Sequence, residues 1–285
     1  MKRLAIINPV CLNRRGNNAK ILGNIRKNTG AKIIISQHPG DAGQIARASA
    51  EYDNIISVGG DGTLSQIING MDLKKQSLSF VPLGTGNSLA RDLALKKPGQ
   101  ENTTIDLMGC EITCGASTIT KYSATTSSFG YISEVVSLGN RRLKSLNQLC
   151  YPLATLLCLH KQKTIKAVLE IDNAAPQIIF FTIFFVNNSG HAGNFLVFPQ
   201  ADITDGLLDF WYLRGNPLSQ LLLNISVLSK RYFYSPGVIG KTKTITLTFD
   251  RAQKLMLDGE TIEKATKITW TVIPQGLKLC DDIKI

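Results

Sequence analysis

The sequence predicts an N-terminal α/β domain with a doubly wound parallel sheet, followed by a mostly antiparallel β domain. Two observations carry this expectation. Over the first 110 residues short β-branched runs alternate with segments of helical apolar spacing, the pattern of parallel strands joined by crossover helices. From residue 117 onward serine, threonine and β-branched residues become frequent, and strand-like runs follow one another with few helices between. At 285 residues and 44% hydrophobic composition, the chain is long enough to bury a core in each part. The expected division is 1–120, with 272–285 returning to it, for the α/β part and 121–271 for the β-rich part.

The elements follow in order. Residues 4–7 form an apolar run and read as the first strand, and a polar loop covers 8–17. Ile21, Leu22 and Ile25 at helical spacing place a helix over 18–27. Residues 32–36 are β-branched and strand-like, and Asp41 is a suitable N-cap for a helix through residue 50. Residues 54–58 make the third strand, 64–71 a helix carrying Ile67, Ile68 and Met71, 78–83 the fourth strand, and 88–95 a helix. Further on, 166–171, 177–187, 207–213, 243–249 and 267–272 read as strands, the last four suited to antiparallel pairing. Two helices interrupt them. One spans 145–159, with Leu146, Leu149, Leu153, Leu156 and Leu157 on one stripe; such a stripe ordinarily faces the core. The other spans 217–228 and starts with proline.

Composition excludes several classes. The longest apolar runs, 178–181 and 183–186, fall far short of the about 20 residues a spanning helix needs. The basic start Met1-Lys2-Arg3 is followed by only four apolar residues, which suit a strand better than a signal peptide. Six scattered cysteines in a long chain read as reduced thiols of a cytoplasmic protein. Lysine and arginine number 32 against 21 acids, a formal charge of +11. Without zinc-finger spacing, an aromatic RNA-binding signature or a long basic run, this charge suits phosphate ligands or an anionic surface rather than nucleic acid. His38, His160 and His191 support neither a triad nor a zinc site.

Gly59-Gly60-Asp61-Gly62-Thr63 follows the third strand directly. Glycines there allow close backbone approach, and the next helix adds its positive N-terminus, so the loop suits phosphate. Asp61 within it would repel phosphate unless Mg²⁺ lies between them. Gly84-Thr85-Gly86-Asn87 follows the next strand, and Asn8-Pro9 follows the first. All three therefore emerge at the carboxyl edge of one sheet, where open α/β sheets bind ligands. Walker A and protein-kinase signatures are missing from the sequence.

These motifs, with Pro82-Leu83 before the second loop, resemble those of the diacylglycerol kinase catalytic family, which includes bacterial soluble lipid kinases and the sphingosine and ceramide kinases. Ile105-Asp106-Leu107, Phe129-Gly130 with Glu134, Asp205-Gly206-Leu207-Leu208-Asp209 and Asp258-Gly259-Glu260 match in the same order, so the resemblance spans nearly the whole chain. It implies ATP at Asn8, Ser36, Gly59, Gly60, Asp61, Gly62, Thr63, Leu64, Ser65, Gly84, Thr85 and Gly86. It implies Glu260 as proton acceptor, with Asp61 as rival base or metal-linked carboxylate, and a structural Mg²⁺ at Asp202, Asp205 and Leu207. Asp106 and Glu134 are the implied substrate contacts. Ile132 and Glu134 look nearer the sphingosine kinase version, where the acid meets an amine or hydroxyl of the lipid head group.

The function implied is an ATP- and Mg²⁺-dependent kinase acting on a hydroxyl of a diacylglycerol- or sphingoid-type lipid. An NAD kinase or phosphofructokinase-like enzyme shares the Gly-Gly-Asp-Gly loop, and a non-catalytic lipid-binding relative is the other alternative. The expected location is cytoplasmic, with peripheral contact at the anionic inner membrane face through the flanks of the 145–159 helix (Arg141, Arg142, Lys144, Lys161, Lys163, Lys166). A homodimer is left open.

Overall fold

The computed structural model describes residues 1–13, 18–94, 104–143, 150–158, 163–193, 195–214 and 237–280. The chain opens with β1 (Arg3–Ile7), almost wholly buried, and α1 (Pro9–Asn13). This short helix replaces the start of the expected polar loop. Pro9 occupies its first position, and the Asn8 Oδ1 accepts the Val10 N–H at 3.0 Å, so Asn8 caps it. Then come α2 (Asn18–Thr29), β2 (Lys32–Ile35), α3 (Asp41–Arg47), β3 (Asn54–Gly59), α4 (Asp61–Ile68), β4 (Ser77–Pro82) and α5 (Ser88–Ala94). The cap of α3 is Gly40, at φ 95°, rather than Asp41. The Asp41 Oδ2 instead accepts the N–H groups of Gln37 and His38 at 2.8 and 2.7 Å, which hold its carboxyl below the usual range.

The four strands form a parallel sheet in the order β2-β1-β3-β4. Alternate residues feed two cores, one with Ile7, Leu12, Ile25 and Val58, the other with Leu4, Ile55, Leu64 and Ile67. Helices therefore cover both faces, as the expected doubly wound arrangement requires.

The second part contains β5 (Thr104–Cys114), β6 (Ser117–Ser123), β7 (Thr126–Gly130), α6 (Tyr131–Leu138), a π-helical turn (Gly139–Leu143) and α7 (Cys150–Leu157). It continues with β8 (Ile165–Ile171), β9 (Gln177–Phe181), β10 (Ile183–Asn187), β11 (His191–Ala192), β12 (Phe195–Leu196), β13 (Leu208–Leu213), β14 (Gly237–Thr242), β15 (Thr244–Leu257) and β16 (Glu260–Lys278). An antiparallel sheet runs β14-β13-β10-β7-β15-β16-β5-β6, with β8 on β15 and β9 on β8. Phe129, Phe181, Phe184, Phe249 and Trp270 fill its core with tilted and stacked ring contacts.

β5 hydrogen-bonds within this larger sheet, while its Ile105 and Leu107 also enter the core beneath the parallel sheet. At the far end of β16 the chain comes back to the parallel sheet. Leu279 bridges Leu78 in parallel, the Cys280 N–H donates to Leu78 O at 2.9 Å, and the Ser79 hydroxyl donates to Cys280 O at 2.5 Å. On α7 the buried face is made by Ala154 and Cys158, whereas Leu156 and Leu157 are exposed, contrary to the leucine-stripe expectation. The expected helix 217–228 and the residues 144–149 and 159–162 flanking α7 lie outside the described residues. All six cysteines are free thiols, and no helix among the described residues is long and apolar enough to cross a membrane.

Candidate active site

The loops after β1, β3 and β4 meet at one rim. The Asn8 amide donates to the Thr63 hydroxyl at 3.0 Å, tying the first loop to α4. The Gly60 and Gly84 backbones touch: a β-carbon on Gly84 would lie 2.4 Å from the Gly60 Cα. A β-carbon on Gly86 would lie 2.5 Å from the Asp61 Oδ2, so side chains at either position would force the loops apart. Asn87, at φ 53°, braces its loop by accepting the Gly84 N–H at 3.0 Å and donating to Gly84 O at 2.8 Å. Gly62, by contrast, faces open space, and Thr85 is exposed at the loop tip. Thr63, Leu64 and Ser65 are buried in α4.

Asp61 is the first residue of α4, and its Oδ1 accepts the Ser88 N–H at 2.7 Å. Burial, helped by the negative charge of Asp258, pushes its carboxyl up to about 6 against the pull of the Ser88 and Asn87 N–H groups. A second cation or phosphate-bound metal beside it would restore the ionised form, which fits a metal-linked role.

Asp258 and Gly259, at φ 46° and 85°, make the two-residue turn of the β15–β16 hairpin. The Asp258 Oδ1 accepts hydroxyls of Ser123 and Thr125, both at 2.6 Å, and the N–H groups of Thr125 and Thr126 at 3.3 and 3.1 Å. Burial still raises its carboxyl above the ordinary value. This nest, built from the serine/threonine stretch where the chain enters the second part, fixes the hairpin. Its next residue, Glu260, accepts the Gln66 side-chain N–H at 3.1 Å across 194 residues of sequence. Gln66 lies on α4 about one and a half turns beyond Asp61. The two acids singled out in the sequence are thus linked by one helix.

The remaining expected residues sit elsewhere. The buried Ser36 hydroxyl donates to Ile7 O at 3.2 Å at the end of the first strand pair. Asp106 is fully buried, its oxygens taken by the N–H groups of Gly206 (2.7 Å) and Gln275 (2.8 Å). It joins three chain segments and has no face for a lipid, which corrects its assignment as a substrate contact. Glu134 stands in the first turn of α6 with its Oε1 2.9 Å from the Lys254 ammonium. That ammonium also lies 3.6 Å from Glu263 Oε1, so an amine at the expected amine-or-hydroxyl contact would compete with Lys254.

Two of the three expected metal ligands, Asp202 and Asp205, are engaged within the chain. Asp202 Oδ1 accepts the Thr204 N–H and hydroxyl at 3.0 and 2.7 Å, and Asp205 Oδ1 accepts the Leu207 N–H at 3.0 Å. The other Asp205 oxygen meets the Lys241 ammonium at 2.5 Å. Among the described residues no group of three or more His, Cys, Asp or Glu is arranged to hold a metal. The donor set here does not fit the expected structural ion.

Sequence reasoning missed Ser88, Gln66, Lys241 and Lys254, whose partners are distant in the chain. It also missed the pair formed by His191 Nδ1 and Asp92 Oδ1 at 2.5 Å, which ties α5 to β11.

A family model described as diacylglycerol kinase catalytic domain matches residues 2–114, and one described as YegS C-terminal NAD kinase beta sandwich-like domain matches 125–281. The chain is similar to a diacylglycerol kinase of Bacillus subtilis (strain 168), 26% identical over 233 residues that cover 78% of this chain and 76% of that one. A crystal structure of a diacylglycerol kinase from Bacillus anthracis str. Sterne superposes with TM-score 0.70 at 16% identity, over 98% of this chain and 96% of its own. An NAD kinase from Archaeoglobus fulgidus, solved in complex with ATP, gives TM-score 0.52 at 13% identity over 98% and 94%. Sequence motifs, rim geometry and these matches agree: the chain belongs to the diacylglycerol kinase catalytic-domain family, with the YegS-type C-terminal domain.

Proposed function

We propose that this chain is an ATP-dependent lipid kinase that phosphorylates a hydroxyl group of a long-chain lipid. The observation that carries this reading is the Gln66–Glu260 hydrogen bond, which brings the hairpin acid onto the helix that starts with Asp61. Asn8, Gly59, Gly60, Gly62, Gly84, Thr85 and Gly86 would form the nucleotide rim, with the positive end of α4 toward the phosphates. Bound ATP would supply the γ-phosphoryl group, and Asp61 would hold the Mg²⁺ whose charge would offset that of the phosphates. Glu260 accepts the proton of the lipid hydroxyl while Gln66 holds the carboxylate in place. Asp258 fixes the hairpin, so the distance between Glu260 and α4 is set before substrate arrives.

Lys254, held between Glu134 and Glu263, competes with a head-group amine at Glu134, which favours diacylglycerol over sphingosine as acceptor. Exposed Leu156 and Leu157, in a chain of formal charge +11, support contact with an anionic membrane surface at the cytoplasmic face. The test is transfer of label from γ-labelled ATP with Mg²⁺ into mixed micelles holding diacylglycerol, sphingosine, ceramide or phosphatidylglycerol. Label in diacylglycerol above sphingosine is expected. ATP binding without label in any lipid would remove these acceptors, and no ATP binding would remove the kinase reading.

A further inference from the structure

Lys241 lies opposite Asp209 in the β13–β14 pairing, and its side chain reaches over the 200–209 loop. Its ammonium is 2.5 Å from Asp205 Oδ2, 3.6 Å from Asp209 Oδ2 and 3.4 Å from Gln200 O. Asp209 is almost fully buried, and Gln200 Nε2 approaches its other oxygen at 3.4 Å. An ammonium has three N–H donors and no acceptor, and here three oxygens surround it. Burial lowers the basicity of this amine, but the two carboxylates outweigh it and leave the ammonium form favoured.

We propose that Lys241 is the built-in cation of this loop, standing where the family resemblance implies a structural Mg²⁺, so that the loop folds without a divalent ion. The charge is the same in kind and smaller in amount, and it is carried on a strand that the sheet itself holds in register. A divalent ion among Asp202, Asp205 and Leu207 would have to displace this ammonium or share Asp205 with it against direct repulsion. The inference concerns the loop alone and stands apart from the lipid-kinase reading.

The test uses nucleotide-free full-length protein carrying Asp61→Asn, which silences the carboxylate at the other rim. Thermal unfolding is followed by circular dichroism in excess EDTA and in excess Mg²⁺, and Mn²⁺ binding by electron paramagnetic resonance. With Lys241 present, the midpoint is expected to be the same in EDTA and Mg²⁺, with no tightly bound Mn²⁺. Lys241→Met is expected to melt several °C lower in EDTA, to recover in Mg²⁺ and to bind one Mn²⁺, because two facing carboxylates then lack a partner. Lys241→Arg, which keeps a cation, should behave as the parent. A rise in the parent's midpoint with Mg²⁺, or tight Mn²⁺ binding with Lys241 in place, would overturn the proposal even if Lys241→Met fails to fold.

Discussion

Asp61, partly buried at the start of α4, and Asp106, fully buried on β5, are satisfied very differently. Asp106 receives a backbone N–H on each oxygen, from Gly206 and Gln275, and its own backbone bonds Ile203 O and the Asn188 amide. It closes a junction and is complete without a ligand. Asp61 has the Ser88 N–H at 2.7 Å, lies close enough to Asp258 to feel its charge, and holds its proton up to about pH 6. The contrast separates two uses of a desolvated carboxylate. One acid is compensated by backbone N–H groups of the chain, and the other is left with a raised pKa at the rim where the glycine loops meet.

The largest effect expected on the reactive side is from Glu260→Gln. Turnover should fall about 10²–10⁴-fold, the usual range for a general base, with the melting temperature unchanged; full activity in the variant would remove Glu260 as the base. Next comes the opposite response of the two aspartates. The folded pKa of Asp61 is raised from 3.8 to about 6, so ionisation costs stability. That cost is absent below the unfolded pKa, grows between the two values and is complete above about pH 6. Asp61→Asn should therefore stabilise the protein by up to about 3 kcal/mol at neutral pH, with the gain vanishing in acid. Asp106→Asn removes an acceptor from a buried N–H and should destabilise by about 1–3 kcal/mol. Denaturant titrations of both variants check the pair, and the same sign for both would break the comparison.

A smaller change is expected from Asp258→Asn. Rate should fall in wild type as pH drops through about 6, because Asp61 must be ionised to act, and removing the neighbouring charge should move that limb to lower pH. A pH–rate profile with an unmoved acid limb would show that Asp258 does not tune Asp61. The smallest effect belongs to Lys254→Met. Removing the ammonium beside Glu134 and Glu263 should raise sphingosine use relative to diacylglycerol by a few-fold, read as a ratio of kcat/KM values.

Much of the parallel sheet was legible because buried strands and amphipathic helices alternate with different periods. α1 was not, since five residues are too few for periodicity to register, although Asn8-Pro9 is a cap followed by a first-turn proline. β15 and β16 are far longer than the runs 243–249 and 267–272 suggest. Asp250, Arg251, Glu263 and Lys264 break the apolar pattern; they are exposed and fall where the β15–β16 register shifts between Thr248 and Leu255, so the strands run on through an irregularity. β5 was hidden for a related reason, because Asp106 interrupts its apolar run and is buried only through partners from residues 206 and 275. At the site, the glycine loops and Asp258-Gly259-Glu260 are contiguous in sequence and could be read. Gln66, Lys241 and Lys254 act on residues brought near by strand register, and no local pattern marks them.

The return of residues 279–280 to β4 bears on how the protein is made. Until those residues have left the ribosome, β4 has one strand edge open, with Leu78 O unpaired and the Ser79 hydroxyl without its Cys280 partner. Such an edge is a template for pairing with another chain. Nascent chains of this protein thus carry that open edge from the moment β4 emerges until residues 279–280 follow it.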